Sequence, residues 1–173
     1  MWPFSLWPKG IPQGVLCEIS SPLGHGKTQA VLQFLRENPH LRCAWLEHTF
    51  RLFPPALGLH NPAHFTQILF IETGEDFFWA GLQVVQSQIF PLVVLSPLLS
   101  CLTSSSTSRF VEKQLRQFQL LCRRHQCTVI LLLDTPLNKG TWPIHLRLQA
   151  RHIQNTYDPG PDPRLYLREF HAH

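Results

Sequence analysis

The stretch EISSPLGHGKTQAVLQFL, Glu18 to Leu35, decides how this chain is read. Before it runs the apolar segment VLCEIS, Val15 to Ser20, with the composition of a buried strand. After it, Ala30, Val31, Phe34 and Leu35 recur at helical spacing, and Asn38-Pro39 stop the run, so a helix is expected from Lys27 to Glu37. A loop between a buried strand and a helix turns backbone N–H groups toward the positive end of that helix, where a phosphate is held. Gly26, Lys27 and Thr28 match the second half of GxxxxGK[ST], in which the lysine reaches the outer phosphates and the hydroxyl holds magnesium. Gly24 adds a flexible position and His25 lies inside the loop. Ser21 stands where the first glycine belongs, followed by Pro22. If that position demands a positive φ, serine costs about 1 kcal/mol or more there.

Outward from the loop, apolar strands alternate with helices. RCAWLEH (Arg42 to His48), QILFIE (Gln67 to Glu72), LVVLS (Leu92 to Ser96) and CTVILLLD (Cys127 to Asp134) read as strands two to five. ALGLHNPAHF reads as a helical turn plus loop. TGEDFFWAGLQVVQSQIF reads as a helix with Phe78, Leu82, Val85 and Ile89 on one stripe and Pro91 as its end. A basic helix is expected from about Arg109 to His125, with Val111, Leu115, Phe118 and Cys122 inward. Strands this apolar, alternating with helices, specify an α/β fold with a mostly parallel sheet covered on both faces. At the carboxyl end, WPIHLRLQARHI and RLYLREFH alternate apolar and polar residues about DPGPDP, which predicts an antiparallel β-hairpin. The expectation is one domain over 1–173, with a core from 10 to 152 and a hairpin and tail from 153 to 173.

Apolar residues make up 44 % of the chain and charged residues 15 %, a globular rather than disordered balance. The net charge of +4 suits a nucleic-acid neighbour without requiring one. Cys17, Cys43, Cys101, Cys122 and Cys127 show no CxxC spacing, and the start MWPFSLWPKG lacks a basic leader and is broken by Pro3 and Pro8. With no apolar run of about 18 residues, a cytoplasmic protein is expected. The histidines show no HExxH spacing, so no zinc site is indicated.

Hydrolysis asks for an acid at the end of another apolar strand, which holds the magnesium, and for a group that positions water. The strand in the expected place, PLVVLSP, ends in Ser96. Thr28 and Ser96 are therefore the metal-side candidates, and neither carries charge. Glu47, at the tip of AWLEH, is the candidate catalytic base; a solvated, salt-bridged strand end accounts for it equally well.

In order, GIPQGVLCEISSPLGHGKT, RCAWLEH, TGEDFFWAGLQVVQSQIFPLVVLSP and CTVILLLD resemble successive blocks of the RecA recombinase core, from about Gly10 to His152. That resemblance implies a RecA-like P-loop fold with ATP and Mg2+ as ligands, the phosphate loop being Ser21 to Thr28. It places the family's catalytic-glutamate segment at Glu47–His48, its metal aspartate at Ser96 and its nucleotide-sensing amide near Asp134 and Thr135. The two DNA-binding loops shrink to TSSSTS and TPLNKGT, which argues against strand exchange. A trimmed core with an eroded nucleotide site is similar to the ImuA group, also labelled SulA-like. By that likeness the implied role is a non-hydrolysing accessory factor in DNA repair, in SOS damage-induced mutagenesis by translesion synthesis. Its partners would be polymerase-like or RecA-like repair proteins.

Two alternatives stay open: a small RecA-like ATPase of recombination or repair that uses Glu47, and, ranked lowest, a small-molecule P-loop kinase, for which no Arg-rich lid is present. The helix from Arg109 to Arg124 and the hairpin residues Arg147, Arg151, Arg164 and Arg168 offer cations for DNA phosphates, or are ordinary solvated faces. Tyr157 and Tyr166 offer stacking surfaces, or fill the core.

Overall fold

A computed structural model describes residues 1–49, 67–97, 108–137, 142–153 and 164–169. The expected helical turn at ALGLHNPAHF, most of TSSSTS, part of TPLNKGT, Cys101, and Tyr157 with the DPGPDP region lie outside the described residues, as does the side chain of Arg164.

Seven strands of the described residues form one sheet in the order β3-β2-β4-β5-β1-β6-β7. They are β1 (Leu16–Ser20), β2 (Cys43–Glu47), β3 (Ile68–Glu72), β4 (Leu92–Ser96), β5 (Thr128–Leu133), β6 (Leu146–Ile153) and β7 (Arg164–Glu169). Every pairing from β3 to β6 is parallel, and β7 returns antiparallel to β6. Helices α1 (Lys27–Glu37), α2 (Phe77–Gln86) and α3 (Ser108–His125) cover the two faces. On one side Val31, Phe34 and Leu35 of α1 pack on Cys17, Ile19, Trp45, Val94, Ile130 and Leu148. On the other, Phe78 and Val85 of α2 and Leu115 and Phe118 of α3 pack on Leu16, Leu46, Leu95, Val129 and Leu131. Alternate residues of one strand thus feed two cores, so the central strands have no solvated side. β1, β2 and β5 are buried at every position, whereas β3, on the sheet edge, exposes Leu69.

Residues before Gly10 contribute to the α1-side core. Trp2 and Phe4 are buried, and both rings meet Phe34, at 6.1 and 5.2 Å between centroids. Trp2 bridges Ile11 across a turn in which Gly10 has φ 69°. A Cβ at Gly10 would stand 2.5 Å from the Trp2 carbonyl, so only glycine fits there.

The helix expected from Thr73 to Phe90 is shorter at both ends. It opens as a 3-10 turn over Gly74–Asp76, and the α-helix proper ends at Gln86. Ser87 stops it: the hydroxyl donates to the Val84 carbonyl at 2.7 Å, and Gln88 swings to φ 58°. Ser87 competes for the backbone as serine commonly does near helix ends. Ile89 therefore lies beyond the helix, off the expected stripe, and is exposed. Pro91 immediately precedes β4 and has no part in ending α2.

The carboxyl-terminal hairpin forms as expected, but it is continuous with the main sheet. β6 pairs parallel with β1 from Cys17↔Leu146 to Ser20↔Gln149, and β7 pairs with β6 from Leu148↔Glu169 to Ile153↔Arg164. Leu146, Leu148, Ala150 and Leu167 turn into the α1-side core, while Arg151 and Arg168 face solvent. No helix among the described residues is long and apolar enough to cross a membrane.

Candidate functional site

β1 ends at Ser20, and the chain turns over Ser21–Gly26 before α1 begins at Lys27. Gly26 caps the helix in the left-handed conformation, φ 89°, with no side chain on the first-turn N–H groups. Gly24 is also left-handed, at φ 79°. Both angles are cheap only for glycine. The His25 N–H closes on the Pro22 carbonyl at 3.2 Å, which curls the loop tightly. His25 and Gly24 are exposed and Thr28 is half-buried.

Ser21 carries none of the backbone strain expected of it. Its φ is not positive, its side chain is fully buried, and its N–H donates to the Leu133 carbonyl at 3.0 Å. Ser21 extends the β1–β5 pairing by one residue instead of opening the loop, so the penalty for a left-handed serine does not arise.

Lys27 is buried and curls back over the loop. Its Nζ lies 3.4 Å from the Ser21 carbonyl and 2.6 Å from Asp134 Oδ1. Asp134 directly follows β5, and β5 is the strand hydrogen-bonded to β1. The position where the resemblance places a nucleotide-sensing amide thus holds an acid in contact with the loop lysine. The sequence contains the cue, since an aspartate closes the wholly apolar run that ends CTVILLLD. Only the strand order brings it beside Lys27.

Ser96 is the half-buried last residue of β4, and Glu47 is its register partner on β2. Glu47 is not a surface carboxylate: it is 5 % exposed, and its Oε1 accepts from Trp45 Nε1 at 3.1 Å. Its backbone carbonyl receives the Thr73 N–H at 2.9 Å and the Thr73 hydroxyl at 3.1 Å. Trp45 belongs to the α1-side core, and strand residues two apart share a face, so Glu47 is on the side that carries Lys27. Among the described residues, no group of three or more His, Cys, Asp or Glu is placed to hold a metal ion. The hydroxyls of Thr28 and Ser96 suit magnesium only as a nucleotide's own counter-ion, a cation that keeps several waters and binds through phosphate oxygens.

A second charged cluster has no motif in the sequence to mark it. Glu18 in β1 and Arg147 in β6 are both buried, with Arg147 Nη1 3.5 Å from Glu18 Oε2. Glu18 Oε1 accepts the Leu137 N–H at 3.0 Å, and Arg147 donates to the Leu137 carbonyl. The pair therefore clamps the segment that follows Asp134. Arg147 is not available to a DNA backbone, contrary to the expectation for the hairpin cations. Burial pushes the Glu18 carboxyl up to about 7, against opposing help from the Leu137 N–H and the Arg147 guanidinium. Because the folded state holds this proton more tightly than the unfolded chain, the contribution is complete below about pH 4.5 and is lost as pH rises through about 7. Relative to Glu18→Gln, wild-type stability is expected to fall across that window by up to about 1.4 kcal/mol per pH unit. Urea denaturation of both proteins across the window checks this; parallel curves would refute it.

The remaining expected cations whose side chains are described all lie at the surface. Lys113, Arg116, Arg123 and Arg124 of α3 face solvent, Arg116 paired with Glu112 at 2.8 Å. Arg151 is exposed and donates to Gln149, and Tyr166 is half-buried. Cys17, Cys43, Cys122 and Cys127 are free and buried, and burial raises all four thiols well above the usual range.

No protein-family model matches the chain, and no curated protein matches it. Among solved structures it is similar to the crystal structure of the RadB recombinase, with a TM-score of 0.62 and 17 % sequence identity. That likeness covers 91 % of this chain and 88 % of the other. The chain has a RecA-like fold, a mostly parallel sheet between helices that carries an antiparallel β6–β7 pair at its carboxyl end.

Proposed function

We propose that this protein binds ATP at the loop Ser21–Thr28 and acts, without turning the nucleotide over, as an accessory factor in DNA repair. The observation that carries the reading is the glycine-capped head of α1, with Lys27 folded over the loop at the carboxyl edge of a parallel sheet. Backbone N–H groups, the helix dipole and an ammonium then converge where a phosphate would sit. Thr28 and Ser96 would hold the nucleotide's magnesium, which supplies charge stabilisation when bound. Ser96 brings no charge to that task, and charge at the metal is worth several kcal/mol to phosphoryl transfer. The finer role is SOS damage-induced translesion synthesis beside polymerase-like or RecA-like partners. It rests on the likeness to the ImuA and SulA-like group. The exposed cations of α3 and the hairpin leave direct DNA contact as a further option.

A second reading, a small RecA-like ATPase, draws on Glu47, which lies beside Ser96 in register and on the face of the sheet that α1 covers. One pair of measurements separates the two. Millimolar ATP with magnesium is expected to raise the melting temperature of the wild type by mass action, and Lys27→Ala to abolish that rise. ATP turnover by the wild type is expected to equal that of Lys27→Ala. Lys27-dependent turnover would install the ATPase in place of the adaptor, and an unchanged wild-type melting curve would end the nucleotide reading.

A further inference from the structure

Lys27 already has an anion. Its Nζ sits 2.6 Å from Asp134 Oδ1, with side chains only 11 % and 23 % exposed, so the contact is largely removed from water. The two groups come from different elements, the head of α1 and the end of β5, held together because β5 pairs with β1. The Glu18–Arg147 clamp on Leu137 secures the chain three residues beyond Asp134. We propose that Asp134 is the specificity-determining residue of the loop: its carboxylate stands in for a phosphate on Lys27 and discriminates against nucleotide that arrives without a metal ion.

The inference rests on the nucleotide reading of the loop. A phosphate entering the loop must take the ammonium from Asp134 and then remain close to that carboxylate. In a site shielded from water, like charges a few ångströms apart interact far more strongly than in bulk solvent. Metal-free ATP brings its whole negative charge to this contest, whereas magnesium cancels part of it before the nucleotide arrives. Replacing the carboxylate by the isosteric amide removes both the competitor and the repulsion while keeping the shape. Metal-free binding should gain most.

The test is titration of ATP, in EDTA and in magnesium, into the full chain as wild type, Asp134→Asn, Asp134→Ser and Lys27→Ala. Both Asp134 variants are expected to tighten metal-free ATP about tenfold or more, and magnesium-bound ATP by less. Tightening that is equal in the two conditions, no tightening, or weakening confined to magnesium would each overturn the inference; the last would make Asp134 a metal-side acid. If Lys27→Ala loses binding while the Asp134 variants match the wild type, the loop reading stands and this inference falls. If Lys27→Ala binds as the wild type does, or no variant binds, both fall. Thermal unfolding without nucleotide supplies an independent check on the contact itself. The melting-temperature losses of Lys27→Ala and Asp134→Asn should combine less than additively in the double variant, and strict additivity would overturn the pairing.

Discussion

Arg147→Met is expected to lower the unfolding free energy by about 3–5 kcal/mol, the range for removing one partner of a buried ion pair. Arg147 is 7 % exposed and Glu18 fully buried, so no water replaces the guanidinium. Methionine keeps much of the side-chain length in the core but leaves the Glu18 carboxylate and the Leu137 carbonyl without that donor. Burial already leaves the Glu18 carboxyl about half protonated at pH 7, and without Arg147 it would take up the rest of its proton, which places the cost toward the lower end of the range. For a chain of this size the melting temperature should drop by roughly 10 °C. Urea denaturation at pH 7 measures it, and a change below about 1 kcal/mol would show that the pair does not hold the fold. Glu18→Gln combined with Arg147→Met should recover part of the loss, because no buried charge then remains.

Trp45→Ala is expected to cost a similar 3–5 kcal/mol, roughly the range for deleting a large aromatic from a packed interior. Trp45 is fully buried in β2, next to Phe70 at 6.2 Å between ring centroids. It also holds Glu47 through the indole N–H. Trp45→Phe separates the two contributions. It keeps most of the packing but removes a donor from a buried carboxylate, and should cost about 1–3 kcal/mol. If Trp45→Phe matches the wild type in urea denaturation, the indole does not position Glu47. If Trp45→Ala costs less than about 2 kcal/mol, the α1-side core collapses more freely than its packing implies.

These effects depend on contacts that differ in how visible they were beforehand. The loop is local: Gly24, Gly26, Lys27 and Thr28 lie within five consecutive positions, and the flanking strand and helix announce themselves by hydropathy alone. The bounds of β4 are equally plain, and those of β5 fall one residue inside the expected run at each end, because unbroken apolar runs mark strands covered on both sides. The end of α2 was not. Its apolar stripe continues in the sequence to Ile89, but the Ser87 hydroxyl and the left-handed Gln88 close the helix earlier.

From the chain alone come the α/β class, the order of elements and the glycine-lysine loop, since each is written in neighbouring residues whose periodicity and turn chemistry act over short range. Tertiary structure alone decided three matters: that Ser21 extends the β1–β5 pairing without strain, that Asp134 meets Lys27, and that Glu18 and Arg147 face each other inside. Each joins residues separated by more than a hundred positions, and the lateral order of strands, which brings them together, is set by how both faces of the whole sheet are buried.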